Sequence, residues 1–131
     1  MIAIDVLEIS TFPTNSSVIL GPYTQQNLIS SQFHCSVRAS RVTNFEWMFS
    51  SDSHPSSTQS SLQEISNELG SIDVRYSVSS TDYASTLTIE GVQFSDAGMY
   101  TCIASIGGTL SPIQASAHLT VEGKSQLSNI H

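Results

Sequence analysis

Apolar and polar residues alternate along most of this 131-residue chain, and that alternation predicts strands rather than helices. After a turn at Gly21-Pro22, Ile29, Phe33, Cys35 and Val37 share one parity with polar neighbours between them. Phe45, Trp47 and Phe49 then share a parity opposite to Glu46 and Met48, which predicts a strand over residues 44–50 with its aromatic side inward. Ile72, Val74, Tyr76 and Val78 alternate again, Thr81-Asp82 punctuates, and Leu87 and Ile89 mark the next strand. A strand over residues 98–105 turns Tyr100 and Cys102 inward. Gly107-Gly108 follows as a hairpin signal, and Ile113, Ala115, Ala117, Leu119 and Val121 line the inner side of a long last strand.

Two stretches depart from this rhythm. Residues 2–20 read as an edge strand interrupted near Pro13, which has no N–H to give to a ladder and suits a strand that crosses between sheets. Residues 51–71 are serine-dense, with Leu62, Ile65 and Leu69 as the main large apolar side chains. They predict at most one short strand over residues 62–68; a helical turn, from the spacing of those three residues, or a plain loop are the alternatives.

The residues at the inward positions form a constellation. Trp47, the only tryptophan, stands twelve residues after Cys35, and Asp96-Ala-Gly-Met-Tyr100-Thr-Cys102 runs into the second and last cysteine. The constellation resembles the immunoglobulin superfamily. The resemblance implies an all-β fold, a two-sheet Greek-key immunoglobulin-like β-sandwich with one inter-sheet disulfide between Cys35 and Cys102. It places Trp47 against that bridge and Tyr100 at a tyrosine corner, with Leu87 also in the core. It also pairs Arg75 with Asp96, as variable-type members of the family do. Two buried free thiols are the alternative to the disulfide; zinc is not indicated, since no CxxC or HxxxH spacing accompanies the pair. A bridge over 102 − 35 = 67 residues would restrict the unfolded chain by roughly 4 kcal/mol. The glycine-rich bulge of antigen-receptor chains is absent from the last strand, which separates this sequence from them.

Length and 39% hydrophobic content suit a single domain, residues 1–122, with 123–131 as a linker or tail. The formal charge of −7, with Lys124 the only lysine, offers no basic patch to nucleic acid or anionic lipid. No membrane contact is expected, and residues 1–8 lack the basic start of a signal peptide. A disulfide and the sequon Asn15-Ser16-Ser17, a candidate glycosylation site, point to an extracellular setting, either a cell-surface ectodomain or a secreted protein.

No nucleophile elbow, phosphate loop or metal spacing occurs among the four histidines, 26 serines and eleven acidic residues, so no catalytic residue, metal or cofactor is expected. Parity instead defines the outer face of the sheet holding the last strand: Glu46, Met48, Ser50, Thr101, Ile103, Ser105, Gln114, Ser116, His118 and Thr120. Met48 and Ile103 are apolar there, and a contact centred on them, with Glu46, Thr101 and His118 around it, is the candidate interface. The loop end at residues 39–43 and 106–112 ranks second, because 106–112 has no aromatic or arginine anchor. The expected function is recognition by a receptor or adhesion molecule of another protein or a second copy of itself. The alternatives are a spacer module in a tandem ectodomain, such as that of a receptor kinase, and a soluble secreted binder of glycans or proteins.

Overall fold

A computed structural model describes residues 5–21, 29–52, 60–61, 75–108 and 110–123. Nine strands occur among them: β1 Leu7–Thr11, β2 Ser16–Leu20, β3 Ser30–Ala39, β4 Asn44–Ser51, β5 Ser60–Ser61, β6 Tyr76–Ser80, β7 Ala84–Glu90, β8 Gly98–Ser105 and β9 Ile113–Gly123. They form two sheets, a four-stranded one in the order β1-β3-β7-β6 and a five-stranded one in the order β2-β9-β8-β4-β5. The interrupted first strand thus serves both sheets. β1 lies antiparallel to β3, the register slips between Ile9 and Thr11, Pro13 is buried at the crossing, and β2 then runs parallel to β9. A bulge and a residue without an N–H both end ladder pairing, which is the local reason the chain changes sheets there.

The expected short strand over residues 62–68 lies outside the described residues, as do the start of the strand expected from Ile72 and the tail from residue 124. The pairing seen in that interval comes earlier, where Ser60 and Ser61 face Phe49 and Met48 at the sheet edge.

Inward side chains of both sheets make the core. Phe33, Trp47, Leu87, Ile89, Tyr100 and Leu119 have at most 1% of their surface exposed. Cys35 on β3 and Cys102 on β8 are bonded across it, with Cα atoms 6.5 Å apart. Trp47 stands opposite Cys102 in the β4–β8 ladder, and Ser85 stands opposite Cys35 in the β3–β7 ladder. The Trp47 indole N–H donates to the Ser85 hydroxyl at 2.9 Å, so a hydrogen bond and a disulfide tie the two sheets at the same level. Tyr100 stacks between Phe33 and Phe49, with ring centroids 5.0 and 4.7 Å away.

Candidate interaction surface

The side chains that could be mistaken for an active site are fully occupied in holding the fold. Asp96 ends a 3₁₀ turn at Phe94–Asp96, and its carboxylate is 1% exposed. Its Oδ2 accepts from Arg75 Nη1 at 2.6 Å and from the Gln93 backbone N–H at 2.7 Å. Its Oδ1 accepts from the Tyr76 hydroxyl at 2.6 Å and from Arg75 Nη2 at 3.1 Å. These four bonds fill the acceptor capacity of a carboxylate. The Asp96 carbonyl accepts from the Tyr100 hydroxyl at 2.6 Å, closing the corner that leads into β8. Burial is the main cause that pushes both phenols well above the ordinary tyrosine range, with Asp96 adding to it for Tyr76 and the charge of Tyr76 for Tyr100. Among the described residues no grouping of histidine, cysteine and carboxylate could hold a metal ion.

The two outer faces of the sandwich differ in kind. On the four-stranded sheet, polar side chains bond to one another across strands. Ser10 pairs with Ser36 at 3.0 Å, His34 with Thr86 at 2.8 Å and Gln32 with Thr88 at 3.2 Å, and Arg38 forms an ion pair with Glu8. Among the described residues no exposed large apolar side chain belongs to one of its strands, although Tyr83, 45% exposed, stands in the turn between β6 and β7.

The outer face of the five-stranded sheet carries unpaired apolar surface. Its residues fall in rows across β4, β8 and β9: Glu46, Ile103 and Gln114; Met48, Thr101 and Ser116; Ser50, Met99 and His118. Met48, Ile103 and Glu46 are half-buried, and Met99 is 41% exposed. On β2, Ile19 stands beside Glu122 and is 58% exposed. His118 Nε2 meets the Asp52 carboxylate at 2.8 Å, and the His118 backbone N–H donates to Asn15 Oδ1 at 2.8 Å. Asn15 is exposed at the edge of this face, with its carboxamide oxygen engaged in extending the ladder.

Thr101 requires a correction. Parity puts it on this face, but it is 1% exposed and cannot offer itself to a partner. It stands between Met48 and Ser116 in its row, with Met99 and Ile103 before and after it on β8, and it shares a hydrogen bond of 2.7 Å with Ser116. Alternation tells which side a residue takes and not how completely larger neighbours cover it. Met99, conversely, belongs to the face and escaped the sequence reading, although its opposite parity to Tyr100 was signal enough. Asp52 and Ile19 were missed for a different reason, since nothing local marks an end-of-strand aspartate or a β2 residue as neighbours of His118 and Glu122.

At the loop end, Arg41 is tied to Asp5 at 2.8 Å, and a side chain added at Gly108 would meet the Arg41 guanidinium at 2.9 Å. The loops therefore pack on one another through a charge that is already paired, while Val42 is the apolar side chain left exposed there.

Comparison with known proteins gives the fold independent support. The family model described as "Immunoglobulin domain" matches residues 8–105. No curated protein matches the chain. Among solved structures, a chimeric titin Z1Z2 carrying an exogenous decorin peptide is 16% identical with a TM-score of 0.60, covering 95% of this chain and 100% of that one. Titin M10 in complex with an obscurin-like 1 immunoglobulin domain is 18% identical with a TM-score of 0.61, covering 91% and 96%. The twitchin kinase region of C. elegans is 20% identical with a TM-score of 0.59, covering 88% of this chain and 16% of that one.

Proposed function

This chain belongs to the immunoglobulin domain family, and from that premise we propose that it is an extracellular, variable-type recognition domain of a receptor or adhesion molecule that binds another protein through the outer face of its five-stranded sheet. The observation that carries the reading is the contrast between the two faces. Both faces carry cross-strand polar bonds, but among the described residues it is the strands of the five-stranded sheet that expose Met99 and Ile19 and leave Met48 and Ile103 half-covered. Apolar surface left on one side of an otherwise polar domain marks a contact site. The disulfide and the exposed Asn15 sequon support an oxidising compartment, on a cell surface or in a secreted protein. The bidentate Arg75–Asp96 pair supports the variable-type reading. The titin M10 complex is a case of one immunoglobulin domain held by another, which supports a protein as partner.

A spacer role in a tandem array is the second reading, supported by similar folds within multi-domain chains such as titin I67–I69. Fluorescent tetramers of the domain separate the two readings on a panel of cell lines. Recognition predicts staining that Met48→Glu with Ile103→Glu abolishes and Thr86→Glu, on the opposite sheet, leaves intact. Staining equal for all three proteins, or none on any line, would favour the spacer.

A further inference from the structure

Resting on that reading, we infer that the partner of the five-stranded face is a different protein, one that surrounds an apolar centre with lysine and arginine, and not a second copy of this chain. The charges of the face carry this. Among the described residues Glu46 on β4 and Glu122 on β9 form no ion pair, and Asp52 is matched only by His118. All three arginines are engaged elsewhere: Arg38 with Glu8, Arg41 with Asp5, and Arg75 with Asp96. Arg38 projects from the four-stranded sheet, Arg41 sits in the loop after β3, and Arg75 precedes β6. Outside the described residues the sequence holds one lysine, Lys124, and three carboxylates, Glu64, Glu68 and Asp73.

A second copy docking face to face would bring Glu46, Asp52 and Glu122 against the same set. Glu46 and Glu122 would lose water without gaining a cation, and like charges facing one another suppress association. A partner with basic groups at those positions satisfies the carboxylates and packs its apolar centre on Met48, Met99 and Ile103. The net charge of −7 would also speed its approach at low salt.

The test uses the isotope-labelled chain, titrated with a synthetic peptide of alternating lysine and leucine and, separately, with its glutamate-for-lysine counterpart. The lysine peptide should shift the backbone amides of Met48, Met99, Ile103 and Ser116. The glutamate peptide should not, and Glu46→Gln with Glu122→Gln should weaken lysine-peptide binding by roughly threefold or more. Equal responses to the two peptides, or shifts confined to the four-stranded sheet, would overturn the inference. Sedimentation of the chain alone separates the two possible failures. A dimer that Met48→Glu dissolves would keep the face as an interface but replace the basic partner by a second copy; a monomer that responds to neither peptide would remove the face itself.

Discussion

Trp47 and Ser85 share a hydrogen bond of 2.9 Å from indole N–H to hydroxyl, across the core and level with the Cys35–Cys102 bridge. Both residues are buried, so removing the hydroxyl leaves a donor without water or partner. Ser85→Ala should cost about 1–3 kcal/mol. In a Trp47→Phe background, which has no indole N–H to strand, the same change should cost less, the remainder coming from the 2.8 Å bond that the Ser85 hydroxyl also shares with Ser80. Denaturant unfolding of the four proteins checks this, and equal costs in both backgrounds would show that the bond contributes nothing of its own.

The Arg75–Asp96 pair should be worth more. Removing the guanidinium leaves a buried carboxylate with its Tyr76 and Gln93 bonds but without its cation. Breaking such pairs costs about 3–5 kcal/mol, and the lower end applies because the Arg75 side chain retains 20% exposure. Arg75→Ala should therefore melt about ten degrees below the parent, at roughly 3–4 °C per kcal/mol for a domain somewhat above 100 residues. Arg75→Lys, which keeps the charge and loses the fork, should fall between the two. An Arg75→Ala protein melting within a degree of the parent would rule out a stabilising pair.

Alkaline pH should unfold the domain through Tyr76 and Tyr100. Both phenols are protonated donors, to the Asp96 carboxylate and carbonyl respectively, and both are held above the ordinary tyrosine range by burial. Their folded values are raised, so the stability they contribute is complete below the unfolded tyrosine value of about 10 and declines as pH rises above it. Each should remove about 1.4 kcal/mol per pH unit in that range. Ultraviolet titration should show two of the four tyrosines ionising only together with unfolding. Four phenols titrating smoothly in a chain that still shows its near-ultraviolet circular dichroism would contradict this.

How much of this was legible beforehand follows from the range of each interaction. Period-two alternation is local, so the inward positions of Phe45, Trp47, Tyr100 and Cys102 and the crossing at Pro13 could be read from neighbours in the chain. Partnerships over long separations could not. Nothing near Ser85 announces Trp47, 38 residues away, and nothing near Arg41 announces Asp5, 36 residues away. The face itself was only half legible. Parity named its side chains, but the rows that cover Thr101 and the seating of Asp52 beside His118 depend on strand register, which becomes fixed only when the sheet pairs.

Gly98 provides the sharpest test of how closely β8 and β4 pack. A Cβ at that position would lie 2.3 Å from the Ser50 carbonyl oxygen and 3.0 Å from the Ser51 Cα, both backbone atoms that cannot swing aside. Phe49, which stacks on Tyr100, would be met at 2.8 Å. Accommodating one methyl group thus means pushing β4 away from β8 where Ser50 pairs with Met99, with strain spreading to the aromatic stack and the outer face together. Gly98→Ala should cost about 2–3 kcal/mol, toward the upper part of the range for overpacked sites. Gly107 is the control, because its Cβ would meet nothing within 4 Å and the difficulty there is only a φ of +77°. Asparagine tolerates that conformation, so Gly107→Asn should be nearly neutral. Comparing the midpoints of the two variants decides the matter: if Gly98→Ala is as harmless as Gly107→Asn, the strands are not in the close contact on which the rows of the face depend.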